Sequence, residues 1–227
     1  MQNSNKPHIK TAFTSRLNVK ILSSTQAYQG FLNILKIQLQ HQLFNGKTSG
    51  VITRELMERG QAVAVLLYDP QRDAIIMVEQ FRIGAINDPE TSWLLELVAG
   101  VIEEGEQPED VARRESMEEA KCALQELELI GHYYVSPGGC TEQIYLYFAV
   151  VDSEGLDGLL AGVPGESEDI RIKVLPWNNV ETMLNNGKIN NATALIGLQW
   201  LQIKKLSTKK IENRAGVEAD QQLSTHQ

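Results

Sequence analysis

The stretch GVIEEGEQPEDVARRESMEEAKC, residues 100–122, carries the fold reading. Its first half is acidic and loop-like. Its second half opens on Pro108, followed by Glu109 and Asp110. Proline is favoured in the first turn of a helix and acids there face the positive dipole end, so a helix is predicted from Pro108 to about Cys122. Each helical residue advances about 100°, which puts Glu115 and Glu119 roughly 40° apart, with Glu118 about 60° to the other side of Glu115. Three carboxylates in one arc repel one another unless a counter-charge sits among them. Magnesium supplies such a charge, because it takes carboxylate oxygens together with water and phosphate oxygens. The run therefore reads as a metal platform for attack on a phosphate ester or anhydride. Arg114 is placed to pair with Glu106 and hold the loop against the helix. Ala112, Ser116 and Ala120, spaced by four, give a narrow face suited to close packing on a sheet. Gly100 is read as a sharp bend at a strand end.

Working outward, Trp93–Val98 reads as a strand running into Gly100. Ala62–Tyr68 and Ala74–Glu79 flank Asp69-Pro70-Gln71-Arg72-Asp73 and form a hairpin with a longer loop. Upstream, Val19–Leu22, Leu35–Leu39 and Ile52–Glu58 are strand candidates, with a turn at Asn45-Gly46. Downstream, Gly131–Val135 and Thr141–Val151 are strands around Pro137-Gly138-Gly139. Residues 153–167 form a loop long enough to carry function. Glu168–Leu175 is a last strand, and helices follow over Asn179–Asn186 and Asn191–Lys204. Residues 1–18 and everything after Lys205 read as loose, polar segments. Strands and helices mix without strict alternation, which predicts an α+β fold with a mixed sheet covered by helices. The expected organisation is a small N-terminal β extension over 1–55, a main domain over 56–206 and a disordered tail over 207–227.

The chain has 227 residues, 42% of them apolar, enough for one packed domain with a small addition. A net charge of −8 argues against nucleic-acid binding, which needs a basic face. Cys122 and Cys140 are the only cysteines and show no metal-binding spacing, so two reduced thiols are expected. The N-terminus lacks an apolar core of a signal peptide, and the apolar runs are strand-sized. The expectation is a soluble, cytoplasmic protein without a membrane partner.

An acidic cluster alone is usually a solvated helix face. Here six positions fall into one spacing: Gly100, Glu106, Arg114, Glu115, Glu118 and Glu119. That arises by chance on the order of once in 10⁵ for a chain this long. The spacing resembles the Nudix box, GX5EX7REUXEEXGU. The resemblance implies an α/β/α sandwich and Mg²⁺-dependent (or Mn²⁺-dependent) hydrolysis of a nucleoside diphosphate linked to a further moiety. Two positions depart: Ser116 stands where an aliphatic residue is usual, and Lys121 stands where the second glycine belongs. Lysine disfavours the left-handed conformation, so the helix is expected to run on or to end differently.

Other segments are similar to the ADP-ribose pyrophosphatase subfamily: residues 54–60, 78–82, 93–100, Ser136-Pro137-Gly138-Gly139 and Glu166–Ile170. This likeness implies hydrolysis of ADP-ribose to AMP and ribose 5-phosphate by a homodimer. It implies metal ligation by the Ala99 carbonyl with Glu115, Glu118, Glu119 and Glu168, and Glu166 as the base that activates water. Glu168 as base with Glu166 as ligand is the rival assignment. Arg54 and Arg82 are candidates to grip the diphosphate, or are surface ion-pair partners. Phe31 is a candidate to stack on adenine, or a core phenylalanine. Gly138 and Gly139 are candidate substrate contacts. Two other functions stay open: a pyrophosphatase for another nucleotide sugar such as GDP-mannose or ADP-glucose, and a Nudix-fold sensor that binds ADP-ribose without cleaving it. Lys121 favours the sensor if its ammonium occupies the acidic site.

Overall fold

The apolar runs become strands buried on both faces of one sheet. The structure is a computed structural model and describes residues 18–163, 165 and 168–207. The expected loose N-terminus up to residue 17, the candidate base Glu166 and the tail beyond residue 207 lie outside the described residues.

The chain divides into two compact units. One contains the described residues up to Gln61 together with Tyr134–Gln143. It is built on three antiparallel strands in order β1 (Val19–Gln29), β2 (Asn33–His41) and β3 (Ile52–Glu58). β1 runs seven residues past the predicted Leu22. Those residues are mostly polar and mostly exposed, so backbone pairing with β2 forms the strand rather than any apolar pattern. The turn at Asn45-Gly46 forms as predicted, with the Gly46 N–H donating to the Leu43 carbonyl at 2.9 Å.

The other unit carries most of an eight-stranded sheet. In chain order its strands are β4 (Gln61–Asp69), β5 (Ala74–Phe81), β6 (Trp93–Glu96), β7 (Val98–Ile102), β8 (Glu128–Tyr134), β9 (Gln143–Val150), β10 (Leu160–Ala161) and β11 (Ile170–Pro176). They lie in the order β10-β11-β5-β4-β9-β8, with β6 also paired to β5 and β7 to β4. The single strand predicted over Trp93–Val98 is thus two strands, because the chain changes partner at Leu97. Side chains alternate between two cores, as strand geometry requires. Val63, Val65, Ile76 and Val78 pack with Val111, Ala112 and Ala120 of helix α1 (Pro108–Ala120). Ala64, Leu66, Ile75 and Met77 pack instead with Val180 of α2 (Trp177–Asn185) and Leu198 of α3 (192–207). The sheet is therefore sandwiched between α1 and the later helices, and the α+β class predicted from sequence holds. α3 continues three residues beyond the predicted Lys204.

Candidate active site

Helix α1 places the carboxylates. Pro108 starts it, Glu109 and Asp110 occupy its first turn, and its buried stripe is Val111, Ala112, Ser116, Glu119 and Ala120. The small residues let α1 lie close to the sheet. That closeness buries Glu119, which is only 3% exposed. One of its oxygens accepts the backbone N–H of Ala99 at 3.0 Å. Burial nevertheless dominates. With the neighbouring charges of Glu115 and Glu168 it pushes Glu119 up to about 8, against the lowering effects of the Ala99 bond and the Arg82 charge.

Glu115 lies one turn earlier. A Cβ built at Gly100 would overlap its carboxylate, so only glycine leaves room for that side chain. Gly100 lies inside β7 with no left-handed backbone, which corrects the expected sharp bend. The residue is there for close approach. Burial raises Glu115 to about 7; the Arg114 guanidinium opposes this and the charges of Glu118 and Glu168 add to it.

Arg114 knits the loop and helix together. Its Nη1 donates to Glu115 at 2.8 Å and to Glu118 at 3.2 Å, and its Nη2 lies 3.7 Å from Glu106. Glu106 in turn accepts the Glu103 N–H at 2.8 Å. Burial disfavours the Arg114 cation, but the charges of Glu115, Glu106 and Glu118 outweigh it and raise its pKa.

Glu168 approaches from the loop before β11. Its Oε2 accepts the Val163 N–H at 3.3 Å. The backbone turns there at Gly162, whose φ is +102° and whose Cβ would lie 2.9 Å from the Glu168 Cβ. The Gly162 N–H reaches the Glu118 carbonyl at 3.4 Å, tying this loop to α1.

The helix ends where the glycine-bearing pattern would end it. Lys121 adopts φ 57°, ψ 25° after Ala120, and the N–H groups of Lys121 and Cys122 both return to the Ser116 carbonyl. This overturns the expectation that lysine would let the helix run on: the backbone keeps the left-handed exit and lysine bears its strain. The Lys121 ammonium binds the Glu118 carbonyl oxygen at 3.1 Å, on the exposed surface.

Arg82 follows β5 and is gripped by Glu96 of β6, Nε to Oε2 at 2.7 Å, while its charge acts on Glu119. Glu96 was not singled out from sequence. A charge inside the apolar run Trp93–Val98 was the available signal.

The remaining sequence candidates belong to the first unit. Phe31 is 95% exposed with the Arg59 guanidinium 5.8 Å from its ring centroid, so it is not a core residue. Arg54 is exposed and its Nη1 donates to the Thr53 carbonyl at 2.9 Å. Gly139 accepts the Met57 N–H at 2.8 Å and donates to Ser136 at 3.2 Å, while Gly138 faces open space.

Among the described residues no group of three His, Cys, Asp or Glu side chains is already arranged around a cation position. The donor set still fits a hard divalent ion. Glu115, Glu119 and Glu168 act on one another electrostatically, and Mg²⁺ needs only one or two carboxylates beside water and phosphate oxygens.

A family model described as NUDIX domain matches residues 58–212. The chain is 46% identical over 192 residues to an ADP-ribose pyrophosphatase of Haemophilus influenzae, covering 83% of this chain and 88% of that one. It is 35% identical over 161 residues to a GDP-mannose pyrophosphatase of Pectobacterium atrosepticum, covering 70% and 82%. A crystal structure of an ADP compounds hydrolase superposes with a TM-score of 0.61 at 18% identity, over 82% of this chain and 96% of that chain, a likeness of fold.

Proposed function

The chain belongs to the NUDIX family, and on that premise we propose that it hydrolyses the diphosphate of ADP-ribose to AMP and ribose 5-phosphate. The observation that carries the chemistry is the pair of neighbouring acids, half-buried Glu115 and buried Glu119, which burial raises to about 7 and about 8. Such a pair is costly to a fold and is suited to a site that supplies a cation.

Glu115, Glu119 and Glu168, with the Ala99 carbonyl and Glu118 at the edge, would hold Mg²⁺, or Mn²⁺ in its place. The bound ion would neutralise the diphosphate and make a bound water more acidic. The protein residues do the rest. Ala99 fixes one oxygen of Glu119, and Arg114 keeps Glu115 and Glu118 oriented while linking them to Glu106. Arg82, braced by Glu96, offers a guanidinium to the anionic substrate. Glu166 takes the proton of the attacking water as the water oxygen bonds to phosphorus and the bridging P–O bond breaks. Glu168 is the rival for that proton. Phe31 receives the adenine, and Arg54, Gly138 and Gly139 contact the substrate.

The finer reading is of a cytoplasmic homodimer, with residues 1–55 serving dimerisation and substrate contact, 56–206 the hydrolase domain and 207–227 a tail. Among the described residues no helix is long and apolar enough to cross a membrane.

The test is turnover of ADP-ribose with Mg²⁺ by Glu119→Gln and Glu166→Gln. Each is expected to fold and to lose at least about 10²-fold in kcat. Near-normal rates in both would sink the assignment. The GDP-mannose-cleaving relative supports a second reading with the same chemistry on another nucleotide sugar. Rates on ADP-ribose and GDP-mannose, compared side by side, separate the two. The binding-only reading leaned on Lys121, whose ammonium is occupied with the Glu118 carbonyl instead.

A further inference from the structure

On β5 the side chains of Ile76 and Val78 pack toward α1, and strand alternation puts Gln80 on the same face. Where the two preceding positions are apolar, this one is a carboxamide. Gln80 is 8% exposed, and its Oε1 is buried with no hydrogen-bond partner. Leaving such an acceptor unpaired is costly, so its position calls for an explanation.

The register shows what surrounds it. On one side Gln80 pairs with Ile170 of β11, two residues after Glu168. On the other it pairs with Leu94 of β6, two residues before Glu96. Two residues further along its own chain is Arg82, whose charge reaches Glu119. Gln80 thus sits on the sheet face that α1 covers, between the residues that lead to Glu168 and those that brace Arg82. An amide oxygen is an acceptor only. It gains nothing from Glu115, Glu119 or Glu168 as carboxylates, nor from a phosphate oxygen, since these accept as well. Among the described residues it has no hydrogen-bond partner, and a water bound beside the carboxylates would supply one.

We propose that Gln80 is a positioning residue of the cation site, its Oε1 accepting a hydrogen bond from a water ligand of the divalent ion. This rests on the metal reading of Glu115, Glu119 and Glu168 given above. A water on a divalent cation is a stronger donor than bulk water, because the ion withdraws charge from it. The unpaired acceptor is then satisfied only in the loaded protein, and its cost in the metal-free state is recovered as cation affinity. Outer partners of this kind are worth about 10–100-fold in metal affinity.

The experiment uses Mn²⁺ alone as the probe, its dissociation constant read by electron paramagnetic resonance on the full chain, with thermal unfolding in EDTA alongside. Gln80→Leu keeps the size and removes the acceptor. It is expected to weaken Mn²⁺ binding at least about 10-fold while the EDTA melting temperature stays at or above that of the unaltered protein. Gln80→Glu keeps an acceptor there and is expected to bind Mn²⁺ at least as tightly as the unaltered protein. Unchanged affinity in Gln80→Leu overturns the proposal, as does equal weakening in both variants. Should Gln80→Leu fail to fold, weaker Mn²⁺ binding by Gln80→Glu overturns it and equal or tighter binding supports it. If the unaltered protein binds no Mn²⁺, the metal reading itself falls, which is a different result from a silent Gln80.

Discussion

Two carboxylates of this protein are almost equally hidden and behave in opposite ways. Asp69, at the turn between β4 and β5, is 0% exposed; Glu119, on α1, is 3% exposed. Burial works to raise both. At Asp69 it is overcome. The carboxylate accepts the N–H groups of Gln71 and Arg72, the Arg72 guanidinium, and both the N–H and the hydroxyl of Ser153. These donors hold Asp69 well below the usual carboxylate range. Glu119 accepts the Ala99 N–H and has two other acids as electrostatic neighbours, so burial wins and lifts it to about 8. Depth does not distinguish a structural carboxylate from a functional one. The supply of donors separates these two, and a buried acid short of donors is the one suited to the cation proposed above.

The largest test of this contrast is a pair of amide substitutions. Asp69→Asn replaces an acceptor with an NH₂ group facing Ser153 and Arg72, which are donors themselves. It is expected to cost about 3 kcal/mol, lowering the melting temperature by roughly 6–12 °C, while turnover measured well below melting stays close to normal. Glu119→Gln removes a charge that the metal-free fold pays to bury. It should melt in EDTA no lower than the unaltered protein at pH 8.5, although it has lost turnover. Equal destabilisation by both substitutions in thermal melts would break the contrast.

The second test is pH. Glu115 and Glu119 are raised from an ordinary value near 4.3 when unfolded to about 7 and about 8 when folded and metal-free. Their protonated forms fit the fold, so their contribution is fully present below the unfolded pKa and is lost as pH rises through the folded values. Asp69 has the opposite sign: its contribution is present above its unfolded pKa and is lost as pH falls through its low folded one. Between pH 5 and 9 Asp69 is therefore silent. Metal-free protein should melt several degrees lower at pH 8.5 than at pH 6, as a melting series in EDTA would show, and saturating Mg²⁺ should remove that loss. Glu119→Gln should flatten the slope. An unchanged slope in that variant would place the titrating groups elsewhere.

What was legible in the sequence divides along the same line between local and long-range causes. The doubly buried strands β4 and β5 announce themselves as apolar runs, and α1 is marked by Pro108 and its first-turn acids. Glu106, Arg114, Glu115, Glu118 and Glu119 are legible because a fixed helical spacing suffices to group them. By contrast β1 beyond Leu22 has no apolar pattern, since its partner strand creates it. The switch at Leu97 depends on β4 lying ready to replace β5 as partner. Gln80 carries no motif at all. Its significance is an acceptor without a donor, a property of the packed sheet rather than of residue order. Gly100 reads as a bend from sequence, whereas it makes room for Glu115, a neighbour from a different element.

The smallest test lies at the end of the same helix. Lys121 holds a left-handed conformation at φ 57°, where a Cβ is strained and glycine is not. The Ser116 carbonyl receives the N–H groups of Lys121 and Cys122, and α1 stays covered against the sheet through Ala120, so the packing on either side fixes this exit. The strain is thus local to one residue, and its side chain donates to the Glu118 carbonyl on the surface. Lys121→Gly should therefore raise stability by about 1 kcal/mol, or roughly 2–4 °C in melting temperature, with the ADP-ribose rate unchanged. A drop in stability would mean that the Lys121–Glu118 bond outweighs the strain. A change in rate would mean that the helix exit helps set the carboxylates, so that Glu119 owes its place to more than the small-residue face of α1.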